Sequence, residues 1–177
     1  MGADGVRLEP FTAAHLDDVV EQVRDREVLR FTRIPDPTPA DFPRRWLTRY
    51  ENGRRDGSSE GFAAVDGDGR FLGLALAPHI DREGRELELG YIVASGARGR
   101  GVATAMLRLL TEWAFAETGA LRAFLVINVD NVASERVAER CGYVREGVMR
   151  SIHSKDGVRI DASLWSRLPS DPAPRRV

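Results

Sequence analysis

Cysteine, lysine and long apolar runs are scarce in this sequence, and each scarcity excludes a class of protein. Cys141 is the one cysteine among 177 residues, so neither an intramolecular disulfide nor a cysteine-based zinc cage can form. No apolar run approaches the roughly 18–20 residues that cross a bilayer, and residues 1–11 lack the apolar block of a signal peptide. We therefore expect a cytoplasmic protein.

An excess of charge of one sign is also missing. The chain has 26 Lys and Arg residues against 27 Asp and Glu residues, a net charge of -1, which argues against nucleic acid as the main partner. With 42% hydrophobic and 30% charged residues, the composition is that of a globular domain. Lys155 is the sole lysine, and such heavy use of arginine is typical of a GC-rich genome, which suggests a bacterial source.

Periodic segments along the chain predict a single α/β domain at residues 1–168, followed by a tail at 169–177 that we expect to be disordered. Apolar residues at helical spacing predict helices at 13–29, capped by Thr12, at 40–51, ended by Asn52-Gly53, at 102–118 and at 132–140. Strands are predicted at 6–11, 62–65, 70–77, 85–94, 121–129 (covered on both faces), 143–149 and 158–165. This order predicts a mixed sheet, mostly antiparallel with one parallel crossover, and helices on both faces.

The segment Arg98-Gly99-Arg100-Gly101-Val102-Ala103 lies between a predicted strand and the start of a long helix. Unpaired amides at a helix N-terminus bind anions, Gly99 and Gly101 allow a phosphate to approach them, and the two arginines add positive charge. A P-loop would need a lysine here, and a dinucleotide-binding loop would need glycine at position 104, which is threonine. We therefore expect this loop to bind a diphosphate of another kind.

The spacing R-x-x-G-x-A in this loop resembles the pyrophosphate loop of the GNAT superfamily of acyl-CoA-dependent N-acyltransferases. Further motifs resemble the RimJ/RimL-like branch of that superfamily: Glu88-Leu89-Gly90-Tyr91-Ile92-Val93, Asn131-x-x-Ser134, Cys141-Gly142-Tyr143 with Glu146-Gly147, and Asp156-Gly157 followed by Asp161. The match covers about residues 6–168 in element order and is specific in motif from 88 to 150.

The resemblance implies a splayed sheet, in which the strand at 85–94 parts from the strand at 121–129. Acetyl-CoA would be the co-substrate, with its diphosphate on Arg98, Gly99, Arg100, Gly101, Val102 and Ala103. Its pantetheine arm would enter the gap and pair with the backbone of Ile92, Val93 and Ala94. Asn131 would bind the amides of that arm; the alternative is that Asn131 is only a turn residue.

Two residues are assigned to the chemistry. Glu88 lies beside the expected thioester and is the expected general base, acting through water; Glu86 shares its face, and a solvated strand glutamate is the alternative. Ser134 is the expected proton donor to the departing thiolate, because Ala138 stands where many superfamily members have a tyrosine. The alternative for Ser134 is a helix cap or first-turn residue. Cys141 is expected to pack in the core without a covalent role.

The acceptor side is the least readable part of the sequence. His79 and His153 could line it or lie on the surface, and Phe31, Trp46 and Tyr50 could contact the acceptor or pack in the core. The expected function is acetyl transfer from acetyl-CoA to a primary amine, either a protein N-terminus or a small-molecule amine, by direct attack in a ternary complex. The alternatives are a non-catalytic acyl-CoA sensor and an enzyme for a longer acyl group such as succinyl. No metal, nucleic acid or membrane partner is expected, and a homodimer is left open.

Overall fold

The computed structural model describes residues 2–3 and 5–174, and its strands form one sheet. The strands are β1 (Gly2–Ala3), β2 (Val6–Pro10), β3 (Glu60–Val65), β4 (Phe71–Asp81), β5 (Glu86–Val93), β6 (Arg122–Asn128), β7 (Val144–Lys155) and β8 (Val158–Arg167). Their order across the sheet is β1-β2-β3-β4-β5-β6-β8-β7. The β5–β6 pair is parallel and the other described pairs are antiparallel, which confirms the predicted mixed sheet.

The helices are α1 (Leu16–Gln22), α2 (Arg26–Phe31), α3 (Phe42–Asp56), α4 (Val102–Thr118) and α5 (Val132–Arg140), with short 3-10 turns at Ala13–His15 and Ser95–Ala97. The limits of α4 and α5 coincide with the predicted ranges. Gly119 ends α4 with φ of 67°, in the left-handed region that glycine tolerates.

The predicted helix at 13–29 is wrong, because the chain forms a 3-10 turn and two helices there. Thr12 precedes the turn as expected, but α1 ends at Gln22 and a new helix begins after Asp25. The Asp25 carboxylate accepts hydrogen bonds from the amides of Glu27 and Val28 at 2.8 and 3.1 Å, so it caps α2.

The predicted end of the next helix at Asn52-Gly53 is also wrong, because α3 continues to Asp56. A Cβ at Gly53 would lie 1.8 Å from the Ser59 hydroxyl oxygen, so this glycine allows the chain that enters β3 to cross the helix closely. The helix ends instead at Gly57, where φ is 77°.

Two apolar clusters lie on opposite faces of the sheet. On one face α4 packs against Leu87 and Leu89 of β5. On the other face α1, α2 and α3 pack against Ile92 of β5 and Leu74 of β4. Successive β5 side chains therefore point to opposite helical layers, as the period of a strand requires.

The prediction that the strand at 121–129 is covered on both faces is wrong. Burial alternates along β6: Ala123, Leu125 and Ile127 are buried, whereas Phe124 and Val126 are only half-buried. The reason is that β6 borders an open cleft, described below.

No helix within residues 2–3 and 5–174 combines the length and apolar composition that crossing a bilayer requires. Of the predicted disordered tail, residues 175–177 lie outside the described residues. Residues 169–174 form turns and irregular chain, in which Asp171 Oδ2 accepts a hydrogen bond from the amide of Leu168 at 2.8 Å.

Candidate active site

The centre of the sheet opens between β5 and β6. Their pairing stops after Glu88 and Phe124, although β5 continues to Val93 and β6 to Asn128. At this level β4 has a bulge between Leu76 and His79, which places one extra residue opposite β5. Because a bulge bends and twists its strand pair, it accounts for the turn of β5 away from β6. The opening forms a cleft of about 1140 Å³.

The backbone of β5 presents polar groups to this opening. The Ala94 amide donates to the Leu72 carbonyl of β4 at 2.9 Å, and the Ile92 carbonyl accepts from Gln22 Nε2 at 3.0 Å. Because alternate residues of a strand direct their N–H and C=O groups to opposite neighbours, Val93 and Tyr91 direct theirs to the gap. Of the three backbone positions predicted to bind pantetheine, only Val93 is oriented in this way.

The predicted diphosphate loop lies at one end of the cleft, where Gly99, Gly101, Val102 and Ala103 line it. Gly99 and Gly101 have φ of 71° and 79°, and no atom lies within 4 Å of a Cβ added at either position. Glycine is therefore required here by the left-handed backbone and not by crowding. The first amides of α4 have no carbonyl one turn back in the helix, so they are free to bind an anion.

The two arginines of the loop differ in their surroundings. Arg98 forms ion pairs with Asp25 at 3.0 Å and Glu27 at 2.7 Å, and its Nε donates to the Val93 carbonyl at 3.3 Å. Arg100 is exposed and is not among the residues that line the cleft. The charge that the sequence assigns to a phosphate is thus in part taken up by two carboxylates at the start of α2.

Ser134 lies at the other side of the gap, in the first turn of α5. Asn131 is the N-cap of this helix, since its Oδ1 accepts from the Ser134 amide at 3.1 Å, so the alternative of Ser134 as the cap is wrong. The Ser134 Oγ is instead 2.8 Å from the Tyr91 hydroxyl. Both side chains line the cleft, and Ala138, one turn beyond Ser134, is fully buried.

Tyr91 is a functional candidate that the sequence analysis did not single out. Burial raises the pKa of the Tyr91 phenol well above its usual range, and the Ser134 hydrogen bond offsets only part of that increase. The phenol is therefore protonated at neutral pH. Its place at the Y of the E-L-G-Y motif, three residues after Glu88, was the available signal.

Glu88 and Glu86 point to the same face, as predicted, but meet different neighbours. Glu86 forms an ion pair with Arg122 at 3.0 Å and is not among the cleft-lining residues. Glu88 is the last β5 residue paired with β6, lines the cleft and has a side chain that is 22% exposed. Arg33 Nη2 donates to Glu88 Oε1 at 3.4 Å.

Aromatic side chains of α3 form the wall beyond Glu88. Phe42, Trp46 and Tyr50 stack along the helix with ring centroids 5.5 and 6.2 Å apart, and all three line the cleft. Tyr50 is also a core residue, and burial raises its pKa to about 12. Phe31 and His153 line the cleft as well, whereas His79 is exposed and does not.

Cys141 is fully buried, and burial raises the pKa of its thiol to about 11. The thiol is therefore neutral at physiological pH, and the predicted packing role is confirmed. Among the residues described, no group of three or more His, Cys, Asp and Glu side chains is arranged to hold a metal ion.

A sheet that opens between two parallel strands, with a glycine-containing loop and a helix N-terminus beside the opening, is arranged to bind an anionic ligand in the gap. The model of the family described as "Acetyltransferase (GNAT) domain" matches residues 6–144. The chain belongs to this family and is an N-acetyltransferase, which sets aside the alternative of a non-catalytic sensor.

Relatives of known name support the assignment. The putative ribosomal N-acetyltransferase YdaF of Bacillus subtilis (strain 168) is 29% identical over 166 residues, which are 91% of this chain and 88% of the relative. In fold, the chain is similar to RimL, a ribosomal L7/L12 alpha-N-protein acetyltransferase solved with coenzyme A, with a TM-score of 0.84 and 18% identity over 94% of this chain and 95% of that one. It is also similar to the spermidine N-acetyltransferase of Vibrio cholerae solved with CoA and spermine, with a TM-score of 0.83 and 20% identity over 96% of this chain and 98% of that one.

Proposed function

We propose that this protein transfers acetyl from acetyl-CoA to a primary amine, of a small molecule or a protein N-terminus, by direct attack in a ternary complex. The observation that carries the proposal is the gap between β5 and β6, where Glu88 and Tyr91 of β5 line the cleft and Ser134 of α5, across the gap, is 2.8 Å from the Tyr91 hydroxyl. One cleft thus brings together a carboxylate and a hydroxyl pair, the two kinds of group that the transfer uses. The cytoplasmic location, the bacterial source and a homodimer stay predictions.

The residues of the cleft fit acetyl-CoA, which supplies the acetyl group as an activated thioester. The amides at the start of α4, with Gly99 and Gly101, would hold the diphosphate. The backbone of Val93 and Tyr91 would pair with the pantetheine arm, and the Asn131 side-chain amide, which lines the cleft while its oxygen caps α5, would donate to that arm. The coenzyme A complexes of the two structural neighbours support this placement.

Glu88 would act as the general base. A lysine-type ammonium has a pKa of about 10.4 and an α-ammonium about 7.7–8, so the attacking amine must lose a proton near neutral pH. The Glu88 carboxylate can accept this proton directly or through water, and Arg33 Nη2 lies 3.4 Å from its Oε1. The β5 amides that face the gap would stabilise the negative charge that develops on the thioester oxygen.

Ser134 would protonate the departing thiolate. Because Tyr91 is protonated and lies 2.8 Å away, its hydroxyl can donate to the Ser134 Oγ and leave the Ser134 proton free for the sulfur. In this arrangement Tyr91 positions Ser134 and stabilises the serine oxygen while its proton is transferred.

The two glutamates of β5 provide the test of the proposed function. General base catalysis contributes about 10²–10⁴-fold, so Glu88→Gln should lower kcat by about a hundredfold or more. The deficit should shrink as pH rises, because more of the amine is then already deprotonated. Thiol release from acetyl-CoA with an amine panel measures the rates, and calorimetry should find an unchanged affinity for acetyl-CoA.

Glu86→Gln is the matched control, because Glu86 lies on the same strand and face but outside the cleft. It should leave kcat within a few-fold of the parent at every pH. Normal turnover in Glu88→Gln would contradict its role as the base, and would indicate an enzyme that relies on an amine already neutral.

A further inference from the structure

Basic side chains outnumber acidic ones along the cleft, although the chain as a whole is balanced. Eight Arg and Lys side chains line it against two glutamates, whereas the whole chain has 26 basic and 27 acidic residues. Three of these cations lie on the α4–α5 side, beside the proposed diphosphate site: Arg98, Arg136 and Arg140. The other five lie on α2, the chain after it, α3 and β7, which form the side of Glu88: Arg30, Arg33, Arg45, Arg49 and Lys155.

Two of those five have contacts at Glu88 or beside its pairing partner on β4. Arg33 lies 3.4 Å from its carboxylate. Arg49 donates to the carbonyl of Pro78, which neighbours the β4 residue paired with Glu88, and lies 5.7 Å over the Tyr50 ring. Neither arginine is committed to a close carboxylate: the Arg33 contact is long, and Arg49 forms no ion pair within the described part of the chain.

The remaining cations near this point have other partners. Lys155 donates to the carbonyls of Leu29 and Thr32, which links the β7–β8 hairpin to the end of α2, and Arg45 pairs with Asp41 one turn earlier on α3. His153 adds no charge at neutral pH, because burial lowers its pKa and Arg33 lowers it further. Arg30, whose guanidinium lies 4.8 Å over the Phe31 ring, and Lys155, whose partners are neutral carbonyls, keep their charge as well. Arg33 and Arg49 differ from them in having contacts at Glu88 itself or beside its pairing partner on β4.

A carboxylate and a guanidinium side by side are the complement of a ligand that carries an amine and an anionic group close together. We propose that the acceptor is such an amine, bearing a carboxylate or phosphate near the reacting nitrogen, with Arg33 and Arg49 binding the anion while Glu88 receives the ammonium. This inference rests on the proposed function and narrows it. The relatives are named for different acceptors, among them ribosomal protein, phosphinothricin and spermidine, so their names do not decide the acceptor. A polyamine would meet repulsion from both arginines.

The test compares matched amines that differ in the anion. Free amino acids and phosphoethanolamine are set against amino-acid carboxamides and ethanolamine, and peptides with aspartate at the second position are set against peptides with lysine there. Spermidine is included. Thiol release from acetyl-CoA gives kcat/KM for each, in the parent, in Arg33→Ala and Arg49→Ala, and in Arg44→Ala. Arg44 is the matched control, because it is an exposed arginine of α3, the helix that carries Arg49, and does not line the cleft.

We expect the parent to prefer anionic amines over their matched partners by about ten- to a hundredfold, the effect of one charge-assisted hydrogen bond. Arg33→Ala and Arg49→Ala should reduce this ratio towards one, mainly through KM, while Arg44→Ala keeps it and acetyl-CoA affinity stays unchanged in all three. Each pair of amines is the same in the parent and in every variant, so differences in the intrinsic reactivity of the two amines cancel when the preferences are compared. A preference confined to the peptides would identify an acidic protein N-terminus, and one confined to free amines a small molecule.

Two results would overturn the inference. Equal or better rates with neutral amines or spermidine, unaffected by Arg33→Ala, would remove the anion site and leave the proposed function intact. Thiol release with none of the amines, although acetyl-CoA binds, would overturn the proposed function and this inference with it.

Discussion

The hydrogen bond between Ser134 and Tyr91 allows the roles of the serine to be separated experimentally. Ser134→Ala removes the bond at 2.8 Å and leaves the Tyr91 hydroxyl without that partner. A buried hydroxyl without its partner costs about 1–3 kcal/mol of unfolding free energy, which for a chain of this size is about 2–4 °C of melting temperature per kcal/mol. As the proton donor to the thiolate, Ser134 should also contribute about 10²-fold or more to kcat.

Tyr91→Phe is the informative partner variant. It removes the same hydrogen bond but keeps the serine proton, so kcat should fall less than in Ser134→Ala. The double variant should be more stable than the sum of the two single losses predicts, because removal of both partners leaves neither hydroxyl unsatisfied. Urea unfolding measures the stabilities, and thiol release at saturating acetyl-CoA measures kcat.

Asn131→Ala completes the comparison, because Asn131 is the residue that caps α5. Loss of a cap costs about 0.5–2 kcal/mol, so this variant should be destabilised whether or not Ser134 takes part in catalysis. A normal kcat in Ser134→Ala, together with the expected loss of stability, would refute the assignment of the serine as proton donor and leave it a structural partner of Tyr91.

Two further predictions concern glycines. Gly101→Val should weaken acetyl-CoA binding about tenfold or more by calorimetry, because a side chain at this position would stand between the diphosphate and the amides of the loop. The variant should still fold, since the left-handed backbone costs an L residue only about 1–2 kcal/mol. Gly96→Val, in the exposed turn before the loop, is the control, and an unchanged affinity in Gly101→Val would place the diphosphate elsewhere. Gly53→Ala should destabilise the chain by about 1–3 kcal/mol in urea unfolding, because its Cβ would collide with Ser59, although alanine favours a helix; a stabilised variant would show that the crossing adapts.

The sequence predicted those elements whose limits are set locally, by glycines at their ends and by the spacing of their apolar residues. The limits of α4 follow from Gly101 before it, Gly119 after it and an apolar stripe between them. The break in the predicted first helix was missed because Asp25 resembles any surface residue of a helix until its carboxylate is seen on two amides. The end of the helix was mispredicted at Gly53 for a related reason. From sequence alone, a glycine that allows another segment to cross a helix closely cannot be distinguished from a glycine that ends the helix.

The site was predictable in its parts and less so in its contacts. A strand and a helix turn place Glu88 and Ser134 correctly at the cleft, because both lie in motifs of fixed spacing. The partners of these residues come from distant segments: Arg33 is 55 residues from Glu88, and Tyr91 is 43 residues from Ser134. Such contacts depend on the register of the sheet and on the bulge in β4, which no local pattern in the sequence specifies.

Arg98 illustrates why a loop motif alone does not fix the charges at a phosphate site. Its two ion pairs, with Asp25 and Glu27, surround one cation with two carboxylates, so this corner of the loop has no surplus positive charge. If this loop binds the diphosphate as proposed, its contribution would come from the amides at the start of α4, whose partial positive charge does not require a free arginine. The cations that remain on this side of the cleft are Arg136 and Arg140 of α5. On the sequence they look like the solvated face of a short helix, and only the position of α5 across the gap brings their charge to the cofactor side.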